Sequence, residues 1–418
     1  MTLGLLLYRL SLTIFAIGVR GTALFNTKAK QFVDGRKDIF KTIAQGFVPH
    51  PSVKRIWFHC ASLGEFEQGR PLIEKIKKTY PDFAICLTFY SPSGYEIRKN
   101  YSFADFVAYL PLDSEKNARK FLDIVKPDLA FFIKYEFWHF YLTEMKHRNI
   151  PVLSVSAIFR PNQVFFKSYG NFYRQMLQCF DKIFVQNQLS KELLEQVGIT
   201  QASLSGDTRF DRVAALAQHR KDVPLAAKFQ NGQPTMVIGS SWPEDMKVLM
   251  PFINQNAYKL KYIIAPHEIS EENIQAIVSV TSMKCIRYSQ ATLSEVDQYD
   301  ILIIDNIGLL SSLYAYGDYA YIGGAFGKGL HNILEAATYG LPILFGNKNY
   351  DKFQEARDLI ALGGAFAING QEALNKTFQK LSTFSARTTA GQINQTYVES
   401  NTGATEKIMA YCQPLLNK

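Results

Sequence analysis

The sequence predicts an α/β protein built from two doubly wound, Rossmann-like domains. Three observations carry that reading: short apolar runs alternate with segments of helical period, a polar stretch interrupts the alternation near the middle, and 418 residues are too many for one ordinary core. The runs begin at Ile56 (IWFHCAS), Ile85 (ICLTFY), Phe106 (FVAYLPL), Leu129 (LAFFIKY), Pro151 (PVLSVSA) and Lys182 (KIFVQN). Between them, GRPLIEKIKKTY and SEKNARKFLDIVK place apolar residues at helical spacing, the pattern of a parallel sheet covered by helices on both faces. Residues 208–234 are polar and read as a linker. The alternation then resumes with TMVIGSS from Thr235, YIIAPHE from Tyr262, ILIIDN from Ile301, YAYIGGA from Tyr319 and PILFG from Pro342. The expected boundaries are an N-terminal segment over 1–30, a first domain over 31–207, the linker, a second domain over 235–390, and a closing helix over 391–418.

Charge narrows the partners. The net charge is +9, yet residues 1–60 hold nine basic side chains against Asp34 and Asp38 alone, a surplus of +7, which leaves about +2 for the rest. A nucleic-acid-binding surface would spread basic residues around the working site, so no nucleic-acid partner is expected. The surplus instead adjoins Leu3–Val19, a 17-residue apolar run broken only by Arg9. That run is at the short limit for spanning a bilayer and lacks the charge order of a cleaved signal, so it reads as an uncleaved anchor or interfacial helix on an anionic membrane surface. A buried core helix is the plain alternative. Cys60, Cys86, Cys179, Cys285 and Cys412 are widely spaced thiols of a reducing compartment, and neither they nor the seven histidines show metal-ligand spacing, so no metal is expected.

Ligands of open α/β sheets sit beyond the carboxyl ends of the strands, which directs attention to the residues after each run. After His59, the stretch HCASLGEFEQGR turns from strand to helix and presents Glu65, placed either as a general base or as a complement to the helix dipole. After Phe131, Lys134 and Glu136 lie in an aromatic run, as a structural ion pair or as a charged cleft wall. From Tyr321, YIGGAFGKGLHNILEAATYG carries Gly323, Gly324, Gly327 and Gly329 into a helix expected to begin near Leu330 or His331. Free backbone N–H groups there would hold a phosphate, and Glu335 would accept hydrogen bonds from ribose. The spacing matches neither the Walker A loop nor a first-strand dinucleotide fingerprint. Ser240, Ser241 and His267 end two more strands and are placed to hydrogen-bond a nucleotide.

With these residues assembled, the chain resembles the 3-deoxy-D-manno-octulosonic acid (Kdo) transferases of Gram-negative bacteria. The resemblance lies in Ala61–Glu65 (ASLGE), TFYSPSGYE from Thr88, Gly206–Asp211 (GDTRFD) and GGAFGKGLHNILEA from Gly323. It departs from the family pattern at Leu330, at Ala336, at Lys134 and His139 within the acidic-pair segment, and at Ala265 before Pro266 and His267. The resemblance implies a GT-B fold with the two domains facing a central cleft, and transfer of Kdo from CMP-Kdo to the lipid A precursor, with inversion and without a cofactor, on the cytoplasmic side of the inner membrane. It implies an acceptor-binding first domain and a CMP-sugar-binding second domain. Glu65 and Glu136 then become the catalytic carboxylates. Ser240, Ser241, His267, Gly324, Lys328, Gly329, Asn332 and Glu335 hold the donor, and Arg209 serves a phosphate in the cleft. The rival readings are a GT-B enzyme or epimerase using a UDP-sugar, and a non-enzymatic membrane-associated nucleotide-binding protein.

Overall fold

The computed structural model describes residues 3–257 and 259–417. The chain forms two compact units, the first running to Asp211 and taking the chain back from Gly403, the second holding Arg212–Thr402. In the first, β1 (Arg55–Cys60), β2 (Ala84–Phe89), β3 (Phe106–Tyr109), β4 (Leu129–Ile133), β5 (Val152–Ala157), β6 (Lys182–Val185) and β7 (Ala202–Leu204) form a sheet of order β3-β2-β1-β4-β5-β6-β7. Every pairing is parallel. A parallel sheet needs apolar side chains on both faces, and the alternation within β1 supplies them: Trp57 packs with Phe121, Phe132 and Tyr141, while Phe58 stacks on Phe131 at 4.5 Å in the opposite layer.

The second unit repeats the plan with β8 (Thr235–Ser241), β9 (Lys261–Pro266), β10 (Cys285–Arg287), β11 (Ile301–Ile303), β12 (Tyr319–Ile322), β13 (Ile343–Gly346) and β14 (Ala365–Ile368), in the order β10-β11-β9-β8-β12-β13-β14. All eleven apolar runs lie in strands. The three strands without such a run, β7, β10 and β14, are three or four residues long and each sits at a sheet edge, where little apolar surface is required. Strand order reverses between β1 and β4 in one unit and between β8 and β12 in the other. These two places are the switch points at which an open parallel sheet leaves a crevice at its carboxyl end.

Two segments differ from expectation. The stretch 208–234 is largely helical, over Thr208–Gln218 and Pro224–Gln230, where Phe210 and Val213, and Ala226 and Phe229, fall at helical spacing and are buried. The tail is two helices, Phe384–Ser400 and Ala404–Leu416. Gly391, expected to open a single closing helix, stands inside the first of them. A side chain there would strike the Gly340 carbonyl, so that glycine serves close packing. Ala404–Leu416 packs Ile408, Met409, Cys412 and Leu416 into the Phe58 and Phe131 layer of the first unit.

The N-terminal helix Leu3–Thr22 is no core helix: none of its residues is buried. Met1 and Thr2 of the expected N-terminal segment lie outside the described residues, as does Lys418 of the tail. A stripe of Gly4, Leu5, Tyr8, Leu12, Ala16 and Val19 is partly covered, at the three- and four-residue spacing of one helical face. Tyr8 donates to Asp113 at 2.6 Å and Arg9 meets Glu115 at 3.3 Å, so the helix lies along the first unit. Leu3, Leu6, Leu7, Leu10, Ile14 and Ile17 face outward.

The return of the chain depends on Asp211, which accepts from Gly403 N–H at 2.5 Å and from Thr405 N–H and Oγ1–H at 2.6 Å, capping Ala404–Leu416. Asp211→Ala is expected to cost about 1–2 kcal/mol, the range of a lost helix cap. A lower melting temperature and faster proteolysis near Gly403 check it; an unchanged melting curve contradicts it.

Candidate active site

At the β1/β4 switch point the chain leaves β1 through Ala61 and enters the helix Leu63–Thr79 at Ser62. Glu65 is the third residue of that helix, and its Oε2 accepts the Ser62 N–H at 3.1 Å. The capping role weighed from the sequence is therefore present, yet the carboxyl remains partly exposed. Burial, and then the charge of Glu136, push its pKa up to about 7 against the lowering charge of Lys134. A carboxyl that titrates near neutrality and reaches solvent has the property a general base requires.

Glu136 occupies a different environment. It is buried, and its Oε2 accepts from His59 Nε2 at 2.9 Å and from Trp138 Nε1 at 2.7 Å. Behind it, His59 Nδ1 lies 2.9 Å from Thr88 Oγ1, which accepts Trp57 Nε1–H at 2.8 Å. One proton arrangement satisfies every member: Trp57 donates to Thr88, Thr88 to His59 Nδ1, and His59 Nε2–H to Glu136. The acid thus pairs with His59 and Trp138, and its effect on Glu65 is exerted through charge. Lys134 follows β4 with φ +66°, an uncommon conformation for a side chain that large, and it lowers both Glu65 and Asp207.

Arg209 belongs to the same unit and is held by Asp207, whose carboxylate takes its backbone N–H and its Nε at 2.9 Å and its Nη2 at 2.8 Å. Burial raises Asp207, but Arg209 outweighs it and the net shift is downward. The Gln68 amide, one turn beyond Glu65, also reaches both Asp207 oxygens at 3.3 Å.

The second unit gathers its residues at the β8/β12 switch point. Ser240 has φ +53°, and Ser241 is buried with no partner for its Oγ among the described residues. A Cβ on Gly323 would strike the Ser240 carbonyl and one on Gly324 the Gly329 carbonyl, so both glycines are required by close approach. Trp242, the next residue after Ser241, stacks on His267 at 4.3 Å, and His267 on His331 at 4.6 Å. Trp242 Nε1–H donates to His331 Nε2 at 2.9 Å. Burial, and then the neighbouring His267, pull His331 down to about 4, so the ring is neutral at physiological pH with its remaining proton on Nδ1. Lys328 Nζ sits 3.8 Å from the Trp242 ring centre.

The phosphate cradle expected after the glycines is corrected here. The helix begins at Leu334, not Leu330 or His331, and spans only Leu334–Ala337. The chain between folds back on itself: Gly327 and Gly329 donate to Gly324 O, His331 donates to Gly323 O, and Asn332 Oδ1 takes the Leu334 N–H at 3.2 Å. Those four amides are spent internally, and cationic side chains add to what the loop offers an anion. Lys328 is one. Lys352 is another, its Nζ facing the open side of Gly329, where a Cβ would lie 3.1 Å from it. Asn332 Nδ2 donates to Glu335 Oε1 at 3.2 Å, which brings those two residues together.

Sequence reasoning missed His59, Lys352 and above all Asp245. Fully buried, Asp245 accepts Gly324 N–H at 2.8 Å and Trp242 N–H at 2.9 Å on Oδ2, and Tyr321 O–H at 3.0 Å on Oδ1. It ties the turn after β8 to the glycine loop after β12. The available signal was its place three residues into a helix that opens on Pro243.

The two parallel sheets define a GT-B fold, the architecture of many nucleotide-sugar enzymes. Solved structures share it: UDP-GlcNAc 2-epimerase from Neisseria meningitidis bound to UDP-GlcNAc (TM-score 0.59, 15% identity, covering 87% of this chain and 100% of that one) and Anabaena HepE in complex with UDP (TM-score 0.53, 10% identity, 88% and 100%). At such identities the likeness concerns the fold alone. The family model described as 3-deoxy-D-manno-octulosonic-acid transferase (kdotransferase) matches residues 36–212. Proteins named 3-deoxy-D-manno-octulosonic acid transferase are 29% identical in Rickettsia felis (78% of this chain, 71% of that one), 26% in Aquifex aeolicus (80% and 88%) and 23% in Haemophilus influenzae (88% and 88%). The chain is thus similar to the Kdo transferases, over residues 36–212 by the family model and over 78–88% of its length by these relatives.

Asp245→Ala would strand two buried N–H groups and a tyrosine hydroxyl, each at about 1–3 kcal/mol. The variant is expected to melt at lower temperature and to exchange the Gly324 amide proton faster, with Asp245→Asn losing less. Unchanged exchange at Gly324 contradicts the tie.

Proposed function

We propose that this transferase moves Kdo from CMP-Kdo to the lipid A precursor with inversion, on the cytoplasmic side of the inner membrane. The observation that carries the reading is Glu65: a partly exposed carboxyl at the β1/β4 switch point, raised to about 7 by burial and by Glu136. Its carboxylate takes the proton of an acceptor hydroxyl as that oxygen attacks the anomeric carbon of Kdo. The bond from that carbon to the CMP phosphate breaks on the opposite face, and the electron pair leaves with CMP. The leaving group is already an anion, so it needs charge stabilisation more than a proton. Lys328 and Lys352, with the Nδ1–H of neutral His331, are the groups of the second unit suited to that task. Asn332 and Glu335 take the ribose, and Ser240, Ser241, His267, Gly324 and Gly329 shape the rest of the donor site. Arg209, fixed by Asp207, supplies positive charge on the acceptor side. The outward apolar face of Leu3–Thr22 and the basic residues that follow it support residence on an anionic membrane.

Glu65→Gln tests the assignment. A glutamine keeps the cap at Ser62 and removes the base, so transfer is expected to fall by about 10²-fold or more. CMP, and not UDP, should still raise the melting temperature of the variant. Stability supplies an independent sign: a carboxyl raised from 4.5 to about 7 contributes stability at low pH that is lost as pH rises through the folded value. At about pH 8 its ionised form is a cost that glutamine removes, so the variant should melt above the wild type. Mass spectrometry of the product from CMP-Kdo and a synthetic lipid acceptor reads the transfer; normal product formation by the variant ends the assignment.

A further inference from the structure

The helix His139–His147 follows the Glu136 segment directly, and its N-cap is Trp138, whose indole has no oxygen to take the free N–H groups of the first turn. Those groups are satisfied from a distance. Asp113 accepts Phe140 N–H at 3.1 Å on Oδ2 and Tyr141 N–H at 3.2 Å on Oδ1. The first of the turn, His139 N–H, reaches the Tyr8 hydroxyl at 3.3 Å, and that hydroxyl donates to Asp113 Oδ2 at 2.6 Å. The cap is therefore completed by a residue 131 positions earlier, on Leu3–Thr22. Close packing fixes the meeting: a Cβ on Gly4 would lie 2.7 Å from Phe172 Cβ, and the Tyr8 ring lies against those of His139, Phe140 and Phe172.

A second line of contact reaches the same place. Phe15, two turns further along the helix, stacks on Tyr90 with ring centres 6.1 Å apart, and Tyr90 packs on the Trp138 ring at 4.6 Å. Phe32 meets both Phe15 and Tyr90 edge-on, at 5.8 and 5.2 Å, and Arg36 donates to the Tyr90 carbonyl at 2.7 Å. Both lines end on Trp138, the donor to Glu136 at 2.7 Å. Trp138 is only partly buried and stands between β4 and the helix, so its direction is set by what packs on its ring and by where its backbone enters the first turn. The N-terminal helix bears on both.

We infer that Leu3–Thr22 is a positioning element of the active site: Tyr8, by completing the cap of His139–His147, and Phe15, through Tyr90, aim the Trp138 indole at Glu136. The kinetic consequence rests on the reading of Glu65 and Glu136 as the carboxylates of transfer; the positioning itself does not. The test uses the full-length protein in detergent micelles and Tyr8→Phe, which keeps the ring and removes the hydroxyl. The Nε1–H resonance of Trp138, followed by proton–nitrogen NMR, is expected to move upfield and to exchange faster with water as its hydrogen bond lengthens. Transfer from CMP-Kdo should fall about 3- to 30-fold in kcat, the range of coupling through packed contacts, with KM changed by less than about twofold. In a Trp138→Phe background the same substitution should cost less than about twofold, because the group it aims is gone. Phe15→Leu, which spares the hydroxyl, should move the resonance in the same direction and supplies the reading if Tyr8→Phe does not fold. An indole resonance that stays in place overturns the proposal, as do losses that add in the double variant or a loss confined to KM. Arg9→Gln breaks the exposed Arg9–Glu115 pair on the same helix and should leave the resonance where it is; an equal shift there marks general loosening and also overturns the proposal. Normal transfer by Glu65→Gln would end the base assignment and leave the indole result standing, whereas an unmoved indole would leave Glu65 standing.

Discussion

The buried carboxylate of Glu136 is the interaction on which the chemistry of the first unit depends. An acid taken out of water needs donors, and the fold brings two to Glu136 Oε2 from residues far apart in sequence, His59 at the end of β1 and Trp138 beyond β4, with Thr88 and Trp57 behind His59. The result is a carboxyl held beneath the mouth of the sheet, where its charge bears on Glu65. Burial of the Glu65 carboxyl is the larger cause of its raised pKa, and Glu136 adds to it. With both, the side chain becomes a proton acceptor tuned to neutral pH. Lys134 restrains that rise, which gives a physical role to the lysine that departs from the family pattern.

The second unit solves a parallel problem with another buried acid. Asp245 gives up its acceptor capacity to Gly324, Trp242 and Tyr321, and so joins the segments after β8 and β12 into one rigid edge. Two glycines allow the backbones to meet there, and the stacked rings of Trp242, His267 and His331 cover the junction. Each unit therefore places a buried carboxylate under its switch point, one to set a charge and the other to set a shape.

The central strands were legible in the sequence because parallel strands buried on both faces must be written as continuous apolar runs. The edge strands β7, β10 and β14 were not, since three or four half-buried residues carry no such signature. Glu65 was legible from its position at a strand-to-helix turn. Its tuning was not, because His59 and Glu136 are 77 residues apart. The start of the last short helix was misplaced for a related reason. Leu330, Ile333, Leu334 and Ala337 recur with helical spacing, but the Gly324–Gly329 turn and the Asn332 cap hold the helix back to Leu334. Local pattern identifies what is buried; contacts distant in sequence decide what that burial does.

The account's central claim is that Glu136 and burial together hold the Glu65 carboxyl near neutrality. A carbon-13 NMR titration of the glutamate side chains reads this directly, without substrate. Glu65 in the wild type should titrate at about 7, and in Glu136→Gln its midpoint should move to lower pH while Ser62 remains capped. A Glu65 carboxyl that titrates at the ordinary 4.5 in both proteins would contradict the claim.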